Sequence, residues 1–239
     1  NMAVYVCTSS AGEGEASAKL GARALGARFG MHRIDANLYA DDDEITSLTV
    51  AADGPRTRYI PYTNRRISWH TDGYYNTMEN QIRAMVLHCV SPSATGGENA
   101  VMDPEIAYIY MRDKNPDFIR VLMHEEAMFI PPNDEGNGEI REGRTGPVFS
   151  LSPHDGSLHM RYTARTRSIS WREDETTQAA VAFLEDLLKG DSPYIFRHRM
   201  AAGQGLLCNN VLHDRNGFED DETHKRLYLR ARFFDRIKV

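Results

Sequence analysis

The tripeptide His70-Thr71-Asp72 places a histidine two residues before an aspartate. In a β-strand, residues i and i+2 project to the same side, so the two side chains can offer a ring nitrogen and a carboxylate oxygen to one point. A second histidine, His213, follows the predicted end of a later strand. Two histidines and one carboxylate are the ligand set of non-haem Fe(II) oxygenases, which leaves three coordination positions open.

A His-x-Asp tripeptide also occurs by chance, and its plainer interpretation is a strand-end histidine beside an exposed aspartate. The other histidines lack a partner at ligand spacing, and His88 lies within the apolar run 84–90, so we interpret them as structural. The chain contains no glycine-rich phosphate loop, G-x-S-x-G motif or H-E-x-x-H motif. Nucleotide hydrolase, esterase and zinc protease functions therefore have no supporting motif.

Further stretches accompany the tripeptide in a characteristic order. They are Tyr62-Thr63-Asn64, Gly73-Tyr74-Tyr75-Asn76, Gly96-Gly97-Glu98-Asn99, Leu212-His213-Asp214-Arg215 and Arg226-Leu227. From about residue 61 to residue 235, the chain resembles the Fe(II)- and 2-oxoglutarate-dependent oxygenases of the taurine dioxygenase and γ-butyrobetaine hydroxylase superfamily. The resemblance implies a double-stranded β-helix core and an iron ion held by His70, Asp72 and His213.

The resemblance also implies a site for 2-oxoglutarate, which such enzymes use together with O2. In the butyrobetaine branch, an arginine thirteen residues after the distal histidine binds the distal carboxylate of 2-oxoglutarate, and that position here is Arg226. A guanidinium suits this role because its planar fork donates two charge-assisted hydrogen bonds to a carboxylate. Asn99 corresponds to a short polar residue that helps to hold the same carboxylate.

Arg230 corresponds to an arginine that binds the anionic end of the substrate in the taurine branch, which implies that the substrate is a small acid. Arg232 can replace Arg230 or Arg226 if the strand register shifts, and Arg161 is a further candidate for the substrate contact. Tyr74 and Tyr75 can form an aromatic wall, which could also hold a quaternary ammonium group. The plainer interpretations are a solvated face for the arginines and ordinary core packing for the tyrosines.

The elements that must position these residues are mostly short strands. Helices are predicted over 12–29, 104–112 and 116–122, and from near Asp174 to Gly190, with Asp103 and Asn115 as caps. Strands are predicted over 45–51, 84–90, 127–130, 148–151, 158–162, 195–200, 205–210 and 226–235.

The last predicted strand alternates between an apolar and a polar face. The apolar face carries Leu227, Leu229, Ala231 and Phe233, and the opposite face carries Arg226, Tyr228, Arg230 and Arg232. Short strands with a few packing helices favour a mainly β, α+β fold with a jelly-roll core. We expect one domain over residues 1–239, in which residues 1–60 form an N-terminal extension and 61–239 form the core.

The composition of the chain excludes some classes of binding partner. The chain has 239 residues and a net charge of −6, so no basic surface dominates, and we expect neither nucleic acid nor a membrane as partner. Its apolar runs are far shorter than the roughly 20 residues of a membrane span. Cys7, Cys89 and Cys208 are widely separated, and no signal peptide is evident, which predicts reduced thiols in a cytoplasmic protein.

These observations predict an oxygenase that couples decarboxylation of 2-oxoglutarate to hydroxylation of an unactivated C–H bond in a small, anionic substrate. Two alternatives remain open at this point. One is a jelly-roll protein that binds a metal or a small acid without turnover, and the other is an oxygenase that acts on a protein or on a carrier-bound amino acid. Whether copies of the chain form a homo-oligomer also remains open.

Overall fold

The computed structural model describes residues 1–7, 14–36, 40–134, 140–165 and 169–238. Within these ranges the chain is a mixed α and β protein in which strands predominate. In chain order the strands are β1 (Met2–Val6), β2 (Thr46–Leu48), β3 (Ile67–His70), β4 (Ala84–Ser91), β5 (Thr95–Gly96), β6 (Asn99–Met102), β7 (Met128–Ile130), β8 (Asn133–Asp134), β9 (Ile140–Arg141), β10 (Arg144–Gly146), β11 (Phe149–Leu151), β12 (Leu158–Met160), β13 (Ser170–Trp171), β14 (Phe196–His198), β15 (Gln204–Cys208), β16 (Leu212–Arg215), β17 (Phe218–Glu219) and β18 (Leu227–Phe233). The helices are α1 (Gly14–Arg28), α2 (Pro104–Lys114), α3 (Pro116–Leu122) and α4 (Glu175–Lys189), with two 3-10 helices at Pro55–Arg58 and Ile60–Tyr62.

Two antiparallel sheets carry most of the site. The larger has the strand order β1-β15-β4-β18-β2, and the smaller has the order β14-β6-β16-β3. In the smaller sheet β16 pairs with β3 so that His213 lies directly opposite His70. Strand pairing therefore brings together two histidines that are far apart in the sequence.

The alternation predicted for the last strand is confirmed in β18. Leu229, Ala231 and Phe233 are fully buried in one apolar cluster, which also contains Ala18 and Ala22 of α1. Tyr228 belongs to a different cluster, on the other side of the strand, that includes Val101 of the smaller sheet. One face of β18 thus packs against a helix, while the other faces the interior between the two sheets.

The predicted helices are confirmed, and their first turns show the physical reason. The side chains of Asp103 and Asn115 accept hydrogen bonds from backbone N–H groups in the first turns of α2 and α3. Asp174 does the same for α4. Such caps satisfy donors that have no partner inside the helix. These three helices share a large apolar cluster with Trp69 of β3, so Trp69 faces the helices while its neighbour His70 faces the other way.

Some sequence expectations need correction. The strand β1 was not predicted, although it pairs with β15 along its whole length. Strand β3 ends at His70, and Asp72 lies in the turn that follows rather than in a strand. Helix α1 begins at Gly14, and residues 12–13 of the predicted helix lie outside the described residues. Most strands are shorter than predicted because pairing partners, which the local pattern does not reveal, decide where a ladder ends.

Among the described residues, none of the helices combines the length and the hydropathy that a membrane span requires.

Candidate metal centre

The structure brings the three predicted ligands together. His70, Asp72 and His213 each offer one ligand atom, and these atoms lie within 4.8 Å of one another. The two imidazole rings have centroids 4.2 Å apart. His70 Nε2 lies 4.0 Å from Asp72 Oδ1. This is the only such group of three metal-ligating side chains found among the described residues.

Backbone contacts orient both imidazoles. His70 Nδ1 lies 2.9 Å from the carbonyl oxygen of Ser68, and His213 Nδ1 lies 2.9 Å from that of Val211. A carbonyl oxygen can only accept, so each Nδ1 carries the proton and each Nε2 keeps its lone pair. Histidines that bind metals are commonly held by this kind of contact, which selects the tautomer that ligates.

Asp72 supplies a carboxylate with one engaged and one free oxygen. Its Oδ1 accepts a hydrogen bond from Arg230 Nη1 at 3.0 Å. Its Oδ2 is buried and has no hydrogen-bond partner among the described residues. A buried carboxylate oxygen without a partner is costly, and a cation bound between the three side chains would remove that cost. The donor set and this orphaned oxygen therefore fit a divalent metal ion.

The electrostatic environment keeps these ligands ready to bind metal. Burial, followed by the nearby His213 imidazole, lowers the pKa of His70 to about 3. Burial alone would favour the neutral form of Asp72, but Arg230 and then Arg232 hold the pKa of this carboxyl well below its usual range. At neutral pH the imidazole of His70 is consequently neutral and the carboxylate of Asp72 is ionised. These are the protonation states that coordinate a metal.

Arg226 is a buried cation without a carboxylate partner. The residue is only 4% exposed, and it forms no ion pair with any described residue. Its guanidinium carbon lies 3.7 Å from the centre of the Tyr228 ring and 5.0 Å from that of Phe218. Its Nε has no hydrogen-bond partner. Burial lowers the pKa of Arg226, yet a guanidinium remains charged at neutral pH. A desolvated positive charge of this kind fits a carboxylate ligand.

Asn99 lies on β6, directly opposite Arg215 of β16. Its Nδ2 donates to the backbone oxygen of Asp214 at 3.0 Å, which ties the two strands together. Its Oδ1 is buried and has no partner among the described residues. The amide therefore has unused hydrogen-bonding capacity in the interior, although no contact with Arg226 is present.

The two arginines of β18, Arg230 and Arg232, are engaged with acidic or phenolic groups. Arg230 contacts Asp72, as described above. Arg232 is 2% exposed, donates to the phenol oxygen of Tyr75 at 2.9 Å and forms an ion pair with Asp35. Of Arg226, Arg230 and Arg232, only Arg226 forms no ion pair with a described residue.

Arg161 is fully committed to the backbone. Its guanidinium donates to the carbonyl oxygens of Tyr74, Met128, Gly146 and Arg144 at 2.7 to 3.2 Å. These contacts tie the turn after Asp72 to the neighbouring strands. The geometry favours a supporting role for Arg161 over the substrate contact that the sequence predicts.

Tyr74 and Tyr75, which follow the tripeptide His70-Thr71-Asp72, lie beside the ligand cluster. The ring of Tyr74 meets that of His70 edge to face, with centroids 6.5 Å apart, and it meets Tyr75 at 5.2 Å. Arg165, which the sequence did not single out, donates to the Tyr74 phenol at 3.3 Å. An aromatic wall next to the ligand cluster is therefore present in the fold.

Asn210 is another residue that sequence reasoning missed. Its side chain is buried and makes three hydrogen bonds, two of them to the backbone of Asp72. The only signal in the sequence is the asparagine pair 209–210, which indicates a turn after a strand but no role in a site.

Comparisons with known proteins agree with this geometry. Residues 19–232 match the taurine catabolism dioxygenase TauD, TfdA family. A uridine-5'-phosphate dioxygenase from a Streptomyces species is 28% identical over 202 residues, which are 81% of this chain and 71% of that protein.

Solved structures with a similar fold include an asparagine oxygenase in complex with Fe(II), 3-hydroxyasparagine and succinate, with a TM-score of 0.55 and 13% identity. That alignment covers 79% of this chain and 56% of the other. The non-haem iron oxygenase OrfP has a TM-score of 0.60 and 12% identity, over 86% of this chain and 62% of that one. This chain therefore spans little more than half of these two solved proteins.

The family match extends over most of the chain and includes all three clustered ligands, which confirms the resemblance seen in the sequence. This protein belongs to the taurine catabolism dioxygenase TauD, TfdA family.

Proposed function

We propose that this chain uses Fe(II) and 2-oxoglutarate to hydroxylate an unactivated C–H bond in a small, anionic substrate. The observation that carries this proposal is the convergence of His70, Asp72 and His213 within 4.8 Å. When bound there, ferrous iron supplies the redox chemistry that couples O2 and the decarboxylation of 2-oxoglutarate to substrate oxidation. Three protein ligands leave coordination positions for exchangeable groups.

Arg226 is our proposed anchor for the distal carboxylate of 2-oxoglutarate. Its buried guanidinium has no acidic partner among the described residues, and the two aromatic rings around it exclude water. Surroundings of low polarity strengthen a charge-assisted hydrogen bond. A carboxylate that reaches the Arg226 guanidinium therefore interacts with it more strongly than it would with an arginine at the surface. We assign Asn99 a subsidiary role in the same site, because its buried amide oxygen is unpartnered.

The substrate side of the site combines aromatic and cationic groups. We assign the wall of the substrate pocket to Tyr74 and Tyr75 and the recognition of an anionic group to Arg230, with Arg232 holding Tyr75 in place. A relative named uridine-5'-phosphate dioxygenase makes nucleoside monophosphates the first class to test. Such molecules offer a ring that can stack on tyrosine and a phosphate that can pair with arginine.

We further propose that the two main sheets form a double-stranded β-helix in a single unit, with residues 61–239 as its core and 1–60 as an extension. The contact between Arg230 of the larger sheet and Asp72 beside the smaller one supports this arrangement. The cytoplasm remains our expected location for the protein.

Anaerobic titration tests the cofactors. Adding Fe(II) and 2-oxoglutarate to the purified protein should produce a weak visible charge-transfer band, and the variant His213→Ala should not produce it. A folded wild-type protein that binds neither Fe(II) nor 2-oxoglutarate would overturn the proposal.

Coupled succinate formation tests the substrate. Admission of O2 in the presence of uridine 5'-phosphate, other nucleoside monophosphates, small carboxylates or sulfonates should release succinate above the level without substrate. A negative result with every small acid would favour a protein or carrier-bound substrate. Metal and 2-oxoglutarate binding without turnover on either class would indicate a binding protein.

A further inference from the structure

The turn that carries Asp72 is held by the side chain of Asn210, which lies between β15 and β16. Asn210 Oδ1 accepts a hydrogen bond from the backbone N–H of Asp72 at 2.8 Å, and Asn210 Nδ2 donates to the backbone oxygen of the same residue at 2.9 Å. The amide thus pairs with both backbone groups of one residue, as a neighbouring strand would. Its second Nδ2 hydrogen donates to the carbonyl oxygen of Ile82 at 2.7 Å.

These contacts are buried and leave no donor of the amide unused. Asn210 is 3% exposed, and its backbone has a φ of +50°, a conformation that asparagine tolerates better than most residues. It lies three residues before His213 on the same segment of chain. A single side chain therefore links the turn with the carboxylate ligand to the strand with the distal histidine.

The other side of the turn is also packed. Gly73 has a φ of +66°, and a Cβ at this position would lie 2.4 Å from the side chain of Ile82. Ile82 thus contacts the turn through its side chain and Asn210 through its carbonyl group. Asp72 has little freedom to move while both contacts are intact.

We infer that Asn210 is a positioning residue that directs the carboxylate of Asp72 toward the two imidazoles. This inference rests on the metal site of the proposed function. Loss of the amide leaves the backbone N–H and carbonyl oxygen of Asp72 without their buried partners, and the carboxylate then loses its fixed direction. Groups that orient metal ligands in this way typically change metal affinity by about 10- to 100-fold.

Substitution by glycine separates the side chain from the backbone conformation. Asn210→Gly keeps a residue that adopts positive φ without strain but removes all three hydrogen bonds. We expect Mn(II), measured by calorimetry without 2-oxoglutarate, to bind about 10- to 100-fold more weakly to this variant than to the wild type. Asn209→Ala is the matched control, because the Asn209 side chain contacts Asn1 and Ile237 and does not reach the site.

The melting temperature without metal verifies that each variant is folded. If Asn210→Gly does not fold, Asn210→Asp decides the question, since it keeps an acceptor for the Asp72 N–H but loses both donors, and it too should weaken Mn(II) binding. An unchanged Mn(II) affinity in a folded variant would overturn the role inferred for Asn210 but would leave the proposed metal site intact. Absence of Mn(II) binding by the wild type would instead contradict the metal site itself.

Discussion

Four buried or half-buried arginines near the site differ in what their guanidinium groups contact, and this difference separates their roles. Arg161 donates to four backbone carbonyl oxygens, Arg230 pairs with Asp72, and Arg232 pairs with an acid and a phenol. Arg226 lies against two aromatic rings and forms no ion pair with a described residue, although its backbone N–H donates to Asp220. An unpaired buried charge costs free energy until an anion binds, so the residue without an acidic partner is the one suited to a carboxylate.

Arg226→Lys should weaken 2-oxoglutarate binding. Lysine keeps the charge but loses the planar fork and the stacking on aromatic rings, which we expect to cost about 1 to 3 kcal/mol, or roughly 5- to 150-fold in affinity. Calorimetric titration of the Mn(II)-loaded protein with 2-oxoglutarate measures the change. Metal affinity should stay the same, and the exposed Arg120→Lys serves as control. A loss of metal affinity instead would refute the role assigned to Arg226.

His159 makes the protein without metal sensitive to acid. Burial, followed by the charge of Arg83, lowers the pKa of His159 to about 3. The unfolded chain therefore binds a proton between about pH 6.5 and pH 3 that the folded protein does not bind, so the stability present above this range is lost as the pH falls.

Replacing this histidine should flatten the pH dependence. Between pH 6.5 and 4, with a chelator present, the free energy of unfolding of His159→Asn should fall less steeply than that of the wild type, by up to about 1 kcal/mol per pH unit. Denaturant unfolding at several pH values measures this slope. A slope equal to that of the wild type would contradict the prediction.

At the scale of elements, α1 and β18 meet through a glycine. A Cβ on Gly26 would lie 2.7 Å from Cζ of Phe233, a residue of β18 that is fully buried. Gly21 lies on the same helix, is exposed, and has no atom within 4 Å of an added Cβ. The closeness of helix and strand therefore depends on one of these two glycines and not on the other.

The two glycines should respond to alanine with opposite signs. Gly26→Ala should destabilise the protein by about 1 to 3 kcal/mol, because the Phe233 ring must move within a packed core. Gly21→Ala should stabilise it by roughly 0.5 to 1 kcal/mol, because alanine favours the helix and meets no neighbour. Denaturant unfolding of both variants provides the measurement. A stabilising Gly26→Ala would mean that this contact is loose.

At the scale of the whole molecule, the ligand cluster couples metal binding to folding. His70 and His213 lie on different strands, and their approach exists only when the smaller sheet has formed. An ion that binds only the folded state stabilises it by an amount that grows with the logarithm of the ion concentration, and this amount is about 2.7 kcal/mol at a concentration of 100 times Kd. For a chain of this size, that corresponds to a rise in Tm of roughly 5 to 10 °C.

Thermal unfolding with and without Mn(II) tests this coupling. The wild type should melt at a higher temperature when Mn(II) is present. His213→Ala should show little change, because the two ligands that remain bind the ion too weakly to stabilise the folded state. Asn209→Ala, outside the cluster, should behave as the wild type does. An equal rise in the His213→Ala variant would indicate that the ion binds elsewhere.

The local chemistry of the chain determined a large part of this description. Side-chain types and their spacing offered the three ligands as candidates, because few residue types coordinate iron, and the family resemblance then identified them. Capping residues predicted the starts of α2 and α3, since a helix start must satisfy its own N–H groups locally. The alternation of apolar and polar residues predicted the two faces of β18. Both the helix starts and these faces depend on residues that are close together in the sequence.

Only the tertiary structure decided which groups lie opposite one another across the fold. It left Arg226 without an acid, committed Arg161 to carbonyl oxygens, and placed the amide of Asn210 against the backbone of Asp72. It also paired β1, which was not predicted as a strand, with β15. Such contacts join residues that are distant in sequence, and their energies depend on burial and on the partner present, neither of which a local pattern contains.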